Sequence, residues 1–99
     1  MGDFAYRLVS HGSDIMLAIS DIGLLGMELE ENGLRLHVSR DFYHGSVCSK
    51  NKAKQLIRDA TIINAVGEGI VALLVEENVV EKKNVLYVQG VPHAQVVRV

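Results

Sequence analysis

Asn84–Val99 reads NVLYVQGVPHAQVVRV, and how this stretch folds decides the architecture around it. Two runs rich in β-branched residues, Asn84–Val88 and Ala94–Val99, have strand composition. Gln89-Gly90-Val91-Pro92 separates them and predicts the turn of a hairpin. Pro92 is the only proline of the chain. It has no amide donor and a fixed φ, which puts it in the turn and not inside a central strand. A lone hairpin is not stable in water, so the rest of the chain must supply a sheet and a cover.

The preceding segments supply both. Ile70–Glu77 is apolar on most sides and predicts a buried central helix. Thr61-Ile62-Ile63 is β-branched and predicts a short extended piece. Between them, Asn64-Ala65-Val66-Gly67-Glu68-Gly69 resembles a phosphate loop only superficially. It has neither GxGxxG nor GxxxxGK[ST], and Glu68 would repel a phosphate. Asn64 or the glycines are read instead as shaping the turn into the helix, or as letting two backbones approach closely. Ser49 is placed to cap a second helix, with Ala53, Leu56, Ile57 and Ala60 as its apolar stripe. Its Lys50, Lys52, Lys54 and Arg58 read as a solvated face, with an RNA or phosphate contact as the alternative.

The first half predicts hairpins. Phe4–Ser10 and Ile15–Ser20 read as strands around the turn His11-Gly12-Ser13-Asp14, with His11 solvated and the second strand central. Asp21 should cap a short turn, Ile22–Leu25, that Gly26 ends. Asn32-Gly33 between alternating runs is a strong hairpin signal. It directs Leu34, Leu36 and Val38 to the core and Arg35, His37 and Ser39 to water. Glu28, Glu30 and Glu31 should form a solvated acidic face opposite His37. Arg40–Val47 reads as a loop whose Phe42 plugs one end of the core, leaving Tyr43 and His44 exposed. The expected fold is a single domain over residues 1–99, α/β of the α+β type, with antiparallel β-hairpins packed against two main helices.

Composition bounds the function. The chain has 99 residues, 48% hydrophobic and 22% charged, with a net charge of −2. That is enough for one core. The slight acidic excess speaks against a broad nucleic-acid surface. One cysteine, Cys48, makes no internal disulfide and suits a reducing compartment. MGDFAYRLVS lacks the basic and apolar regions of a secretory signal, and no apolar run approaches the ~20 residues of a membrane span. A cytoplasmic location without membrane attachment is expected. The histidines lack the spacing of a helical metal pair, so neither metal nor cofactor is expected.

The chemically capable residues are Tyr43, His44, Cys48, Asn64, Glu68, His93 and Gln95. His93 oriented by Glu68 would make a general base. Cys48 with His93 would make a nucleophile pair. The bland alternatives are a turn histidine bonded to backbone and a small buried thiol.

Leu24-Leu25-Gly26, Phe42-Tyr43-His44-Gly45, the segment ATIINAVGE over Ala60–Glu68, and GVPHAQ over Gly90–Gln95 together resemble the archaeal family known as domain of unknown function 424. The resemblance spans nearly the whole chain. This chain has Ile63-Asn64-Ala65 where the family pattern has Ala-Asn-Leu, and it departs again at Gly69. The resemblance implies an archaeal cytosolic protein of one small domain and supplies no activity. It also implies that Phe42, Tyr43, Gly45, Asn64, Gly67, Glu68, Gly90, Pro92, His93 and Gln95 share one region. In that region Tyr43, Asn64, Glu68, His93 and Gln95 are the binding candidates, and Gly45, Gly67, Gly90 and Pro92 are structural. The function expected is a non-enzymatic binding module for a macromolecular partner, with RNA or the ribosome as one such partner. The alternative is a small hydrolase or transferase using His93 and Glu68. The edge of Ala94–Val99 would also allow a homodimer.

Overall fold

The computed structural model describes residues 2–98. Strands β1 (Phe4–His11) and β2 (Asp14–Asp21) form the first hairpin. A smaller hairpin follows, β3 (Glu28–Glu31) and β4 (Leu34–His37), then a single helical turn, α1 (Arg40–Tyr43), and a short strand, β5 (Ser46–Cys48). Helix α2 (Lys50–Asp59), strand β6 (Ile62–Val66) and helix α3 (Glu68–Glu76) come next. Strands β7 (Leu86–Val88) and β8 (Val91–Val97) complete the chain. Six strands form one sheet in the order β5-β1-β2-β6-β8-β7, and β3-β4 stands apart as a two-stranded sheet. All pairs are antiparallel except β2 with β6, which run parallel. A parallel neighbour requires a long crossover, and residues 22–61 supply it.

Alternation along the strands divides the side chains between two faces. On one face Leu17, Ile19 and Ile63 pack with Ile57 of α2 and with Ile70 and Leu74 of α3, all fully buried. On the other face Ala18, Val66 and Val88 pack under Leu29, Leu36, Val38 and Tyr43. The sheet therefore lies between a helical layer and a small hairpin-plus-turn layer. β2 is buried from Leu17 to Ser20, as its two-sided apolar character predicts.

Several expectations need correction. Arg40–Val47 is not a loop throughout. It contains α1 and the start of β5. Within α1 the predicted roles of the aromatics are exchanged: Tyr43 is 4% exposed and Phe42 39%. Adjacent helical residues point about 100° apart, so only one ring can face the sheet. The amide of Tyr43 donates to Ser39 O at 2.9 Å and so fixes the turn. Phe42 packs edge-on against it, centroids 4.9 Å apart. Leu34 is 49% exposed, because it sits at the hairpin tip beyond the sheet beneath. Glu31 is exposed but not merely solvated: its Oε1 accepts from the Gln89 amide at 2.7 Å, and Gln89 Nε2 donates to Glu30 O. These bonds tie the small hairpin to the β7–β8 turn. Asn64 shapes no turn. It lies in the middle of β6.

The largest correction concerns Pro92. The turn is Gln89-Gly90 alone, with φ +51° and +79°, and Pro92 lies within β8 opposite Tyr87. Val88 and Val91 flank the two-residue turn as a hydrogen-bonded pair, so Tyr87 and Pro92 form the next, non-bonded pair. The missing amide of Pro92 therefore points toward β6. There the last paired residues are Val66 and His93. The Gly67 amide donates to Pro92 O at 2.9 Å, while Gly67 O accepts from Val71 N at 3.0 Å inside α3. The carbonyl that a residue-92 amide would have sought is already used by the helix. A proline fits there without leaving an acceptor unpaired. The expected second strand also starts three residues earlier than predicted, and Val99 lies outside the described residues.

Candidate functional site

The Gly67-Glu68-Gly69 segment is explained by a residue distant in sequence. Asp21, at the end of β2, accepts from the Gly69 amide (2.8 Å, Oδ2) and the Ile70 amide (2.9 Å, Oδ1). Those are free donors of the first turn of α3. Asp21 makes no side-chain cap to the short 3-10 turn Ile22–Leu24 that follows it, so its predicted role moves to another helix. Gly67 has φ +122°, and a Cβ there would fall within 2.6 Å of Asp21 Oδ2. The glycine is required by conformation and by space together. The helix end that would attract a phosphate already holds a carboxylate, which removes the phosphate-loop reading.

The strand register assembles the polar candidates. Asn64 stands opposite Gln95 across β6 and β8, and His93 opposite Val66 one row away. Their side chains lie on the face away from the main helices. The β3-β4 hairpin and α1 cover only part of that face. One row runs Arg7, Ala18, Asn64, Gln95, and the next runs Val9, Met16, Ile62, Val97. Ala18 is buried, Asn64 and Ile62 are half-buried, and Arg7, Val9, Gln95 and Val97 are exposed. An apolar row thus crosses four strands beside the row of Arg7, Asn64 and Gln95, exposed at Val9 and Val97 and half-buried at Met16 and Ile62. His93 lies at the margin of the hairpin, half-buried, and burial lowers its pKa from the model-compound value of 6.5. Neutral imidazole is the form this position favours.

Tyr43 lies beneath the surface. Burial pushes its phenol up to about 12, and its ring supports Ala18 and Val66 from above. It carries the face rather than contacting anything outside. Gly45 is a close approach, its amide donating to Tyr6 O at 2.8 Å. Gly90 supplies the positive φ of the β7–β8 turn.

Glu68 follows Val66, the partner of His93 across the sheet, by two residues, and lines a hollow of about 260 Å³ with Asp21, Leu24, Gly90 and Val91. It begins α3 and lines an apolar slot of about 240 Å³ with Val71, Val75, Tyr87 and Pro92. Side chains alternate along β8, so His93 points away from Pro92 and from that slot. No hydrogen bond joins Glu68 to His93 among the described residues. Cys48 is further off. β1, β2 and β6 lie between its strand and that of His93, a separation of about 19 Å at the usual spacing. Burial, with Asp3 adding to it and Lys52 opposing, raises the Cys48 thiol, which disfavours a thiolate. The basic residues of α2 belong to the helical face and do not reach Asn64 or Gln95. The cleft of about 460 Å³ between Phe4, Asp21, Lys50, Leu73 and Glu76 includes none of the polar candidates. Its Lys50 and Glu76 are paired at 3.7 Å. Among the described residues, no three His, Cys, Asp or Glu side chains converge as a metal set would.

Sequence reasoning missed Asp21 as the cap of α3, and it missed the apolar row. The row joins residues of four strands, and only the register reveals it. Asp21 before a turn gave the signal of a cap without indicating which helix it serves.

Comparison with known proteins places this geometry in a family. A family model described as "Protein of unknown function (DUF424)" matches residues 9–99. A crystal structure described as an uncharacterized conserved protein from Methanopyrus kandleri is similar, at 28% identity and a TM-score of 0.77. The similarity covers 97% of this chain and 94% of that one. No curated protein matches the chain.

Proposed function

For a chain that belongs to the DUF424 family, whose description names no activity, we propose a non-enzymatic binding module that engages a protein partner through the uncovered half of its sheet. The observation that carries this reading is the register. It sets the apolar row Val9, Met16, Ile62, Val97, exposed at its two ends and half-buried at Met16 and Ile62, beside the polar row Arg7, Asn64, Gln95. Apolar surface rimmed by amides is the usual composition of a protein-binding patch. His93 at the margin adds a neutral donor and acceptor. A catalytic site needs a cavity that excludes water, and the cleft that Gln95 and Val97 border is open. Among the described residues no hydrogen bond links His93 to Glu68, the pair that the acid–base alternative uses. RNA is disfavoured because Arg7 is the one cation in these rows and the lysines of α2 lie on the other side of the sheet.

The test is a pull-down from archaeal lysate with mass spectrometry, using the native chain, Gln95→Arg with Ile62→Asp, and Lys52→Glu with Lys54→Glu. The reading requires a protein retained by the native and α2-altered chains and lost with the sheet-face pair. Filter binding to bulk archaeal RNA across a salt series separates the RNA version. Salt-sensitive retention that depends on the α2 lysines would replace this proposal.

A further inference from the structure

The opposite edge of the same strand carries a second surface. In β8 the residues facing β6 are fixed by two bonds, Gly67 N to Pro92 O and Arg98 N to Thr61 O at 2.8 Å. Even-numbered residues therefore turn their backbone groups to β6, and odd-numbered ones turn theirs the other way. Val91 and His93 meet Val88 and Leu86 of β7. The residue that would meet Gln95 is Asn84, but it is coiled into the 3-10 turn Lys82–Asn84, with its amide on Glu81 O at 2.9 Å. The amides and carbonyls of Gln95 and Val97 have no partner among the described residues. They border an open cleft of about 420 Å³ whose other wall is Val79, Val80, Glu81 and Asn84.

We propose that this half-edge pairs with the same half-edge of a second copy, antiparallel and two-fold about Val96. The chemistry of the edge specifies its occupant. Two outward amides and two outward carbonyls at a two-residue spacing call for an extended backbone. A two-fold axis at Val96 sets Gln95 against Val97 of the other copy and satisfies all four groups on each side. The segment Ala94–Val97 carries no charge, so no like charges are opposed on pairing. It also lacks the lysine or bulge with which exposed edges are usually protected. Val97, at 68% the most exposed of the large apolar side chains, lies at this edge. In the pair it packs beside the partner's Gln95, and the apolar row of one copy continues into the polar row of the other.

The outer border of β1, where Leu8 and Ser10 point away from β2, is also unpaired beyond β5. Joining β8 to β1 of another copy would be head-to-tail and would leave an open chain of molecules, whereas the β8 pair closes. Of these two borders, that of β8 lines the cleft with Val79, Val80, Glu81 and Asn84. This inference rests on backbone edges. It holds or fails independently of the partner proposed for the sheet face.

Sedimentation equilibrium of the full chain from about 10 µM to 1 mM tests it, with amide hydrogen exchange across the same range. The expected result is a monomer–dimer equilibrium in which the Gln95 and Val97 amides become protected as concentration rises. Val97→Pro removes one outward donor per copy and should raise the dissociation constant about tenfold or more. Ser10→Pro, on the β1 border, should leave it unchanged. A monomer at 1 mM with fast exchange at Gln95 and Val97 overturns the proposal. So does a dimer lost with Ser10→Pro but kept with Val97→Pro, or assembly into larger head-to-tail species. Exchange in the native chain gives an answer even if Val97→Pro fails to fold.

Discussion

The two faces of the central sheet are built to different degrees of completion. Toward α2 and α3, Leu17 and Ile19 of β2 and Ile63 and Ala65 of β6 are fully buried. Toward β3-β4 and α1, the cover ends after one row and part of a second. Ile62 and Ile63 are neighbours on β6, yet Ile63 is fully buried and Ile62 is not. Of the polar candidates, Asn64, His93 and Gln95 lie on the incomplete side. A buried face is accounted for by stability, and an apolar row left uncovered is not.

The strongest way to break this contrast is to truncate both isoleucines. Ile63→Ala should cost about 2–5 kcal/mol, as for a fully buried aliphatic residue, while Ile62→Ala should cost well under half of that. Urea unfolding measures both, and equal losses would mean that the second face is covered in solution. Next in size is Tyr43. Burial raises its pKa from the ordinary phenol value of 10.0 to about 12. The neutral phenol's contribution is intact below about pH 10 and lost as pH rises from 10 toward 12, about 2–3 kcal/mol in all. Alkaline unfolding should show this slope in the native chain and not in Tyr43→Phe.

Asp21→Ala should destabilise by about 1–2 kcal/mol, through loss of two bonds to the start of α3. Asp21→Asn should recover part of this, because one side-chain oxygen remains to accept. The effect belongs to the closed layer, so binding at the sheet face should persist in both variants, as titration with any captured partner would show. His93 gives a smaller effect at the margin. Its folded pKa lies below the unfolded value near 6.5, so the unfolded chain takes up its proton first. The contribution is complete above about pH 6.5 and is lost as pH falls below it. Melting temperature should therefore fall less between pH 7.5 and 5.5 in His93→Gln than in the native chain. Smallest of all, Asn64→Ala and Gln95→Ala should change stability by no more than about 0.5 kcal/mol. If either unfolds the protein, the amide pair is structural and the binding reading loses its main support.

Much of this was legible from residue order. The Asn32-Gly33 hairpin, the apolar stripe of α2, the buried α3 and the paired terminal strands all follow from local periodicity and turn chemistry. Those signals act over a few residues, and the structure keeps them. The misread residues are ones whose environment comes from far along the chain. Tyr43 and Phe42 are equally apolar neighbours, and only the sheet beneath selects one ring. Asp21 precedes a turn in the sequence, whereas its bonds reach Gly69 and Ile70. Pro92 looked like a turn residue because the Gly67 carbonyl that excuses its missing amide is distant in sequence.

The sequence by itself determined the class of the fold, the positions of most turns and the membership of the helical core, since periodicity and φ preference are properties of neighbouring residues. Tertiary structure alone decided that β2 and β6 run side by side in parallel. That pairing, with the antiparallel β6–β8 pairing, sets Val9, Met16, Ile62 and Val97 in one row and aligns Asn64 with Gln95. The physical reason is register: a strand presents alternate residues to opposite faces, and which strand lies beside it is fixed only when the whole sheet closes.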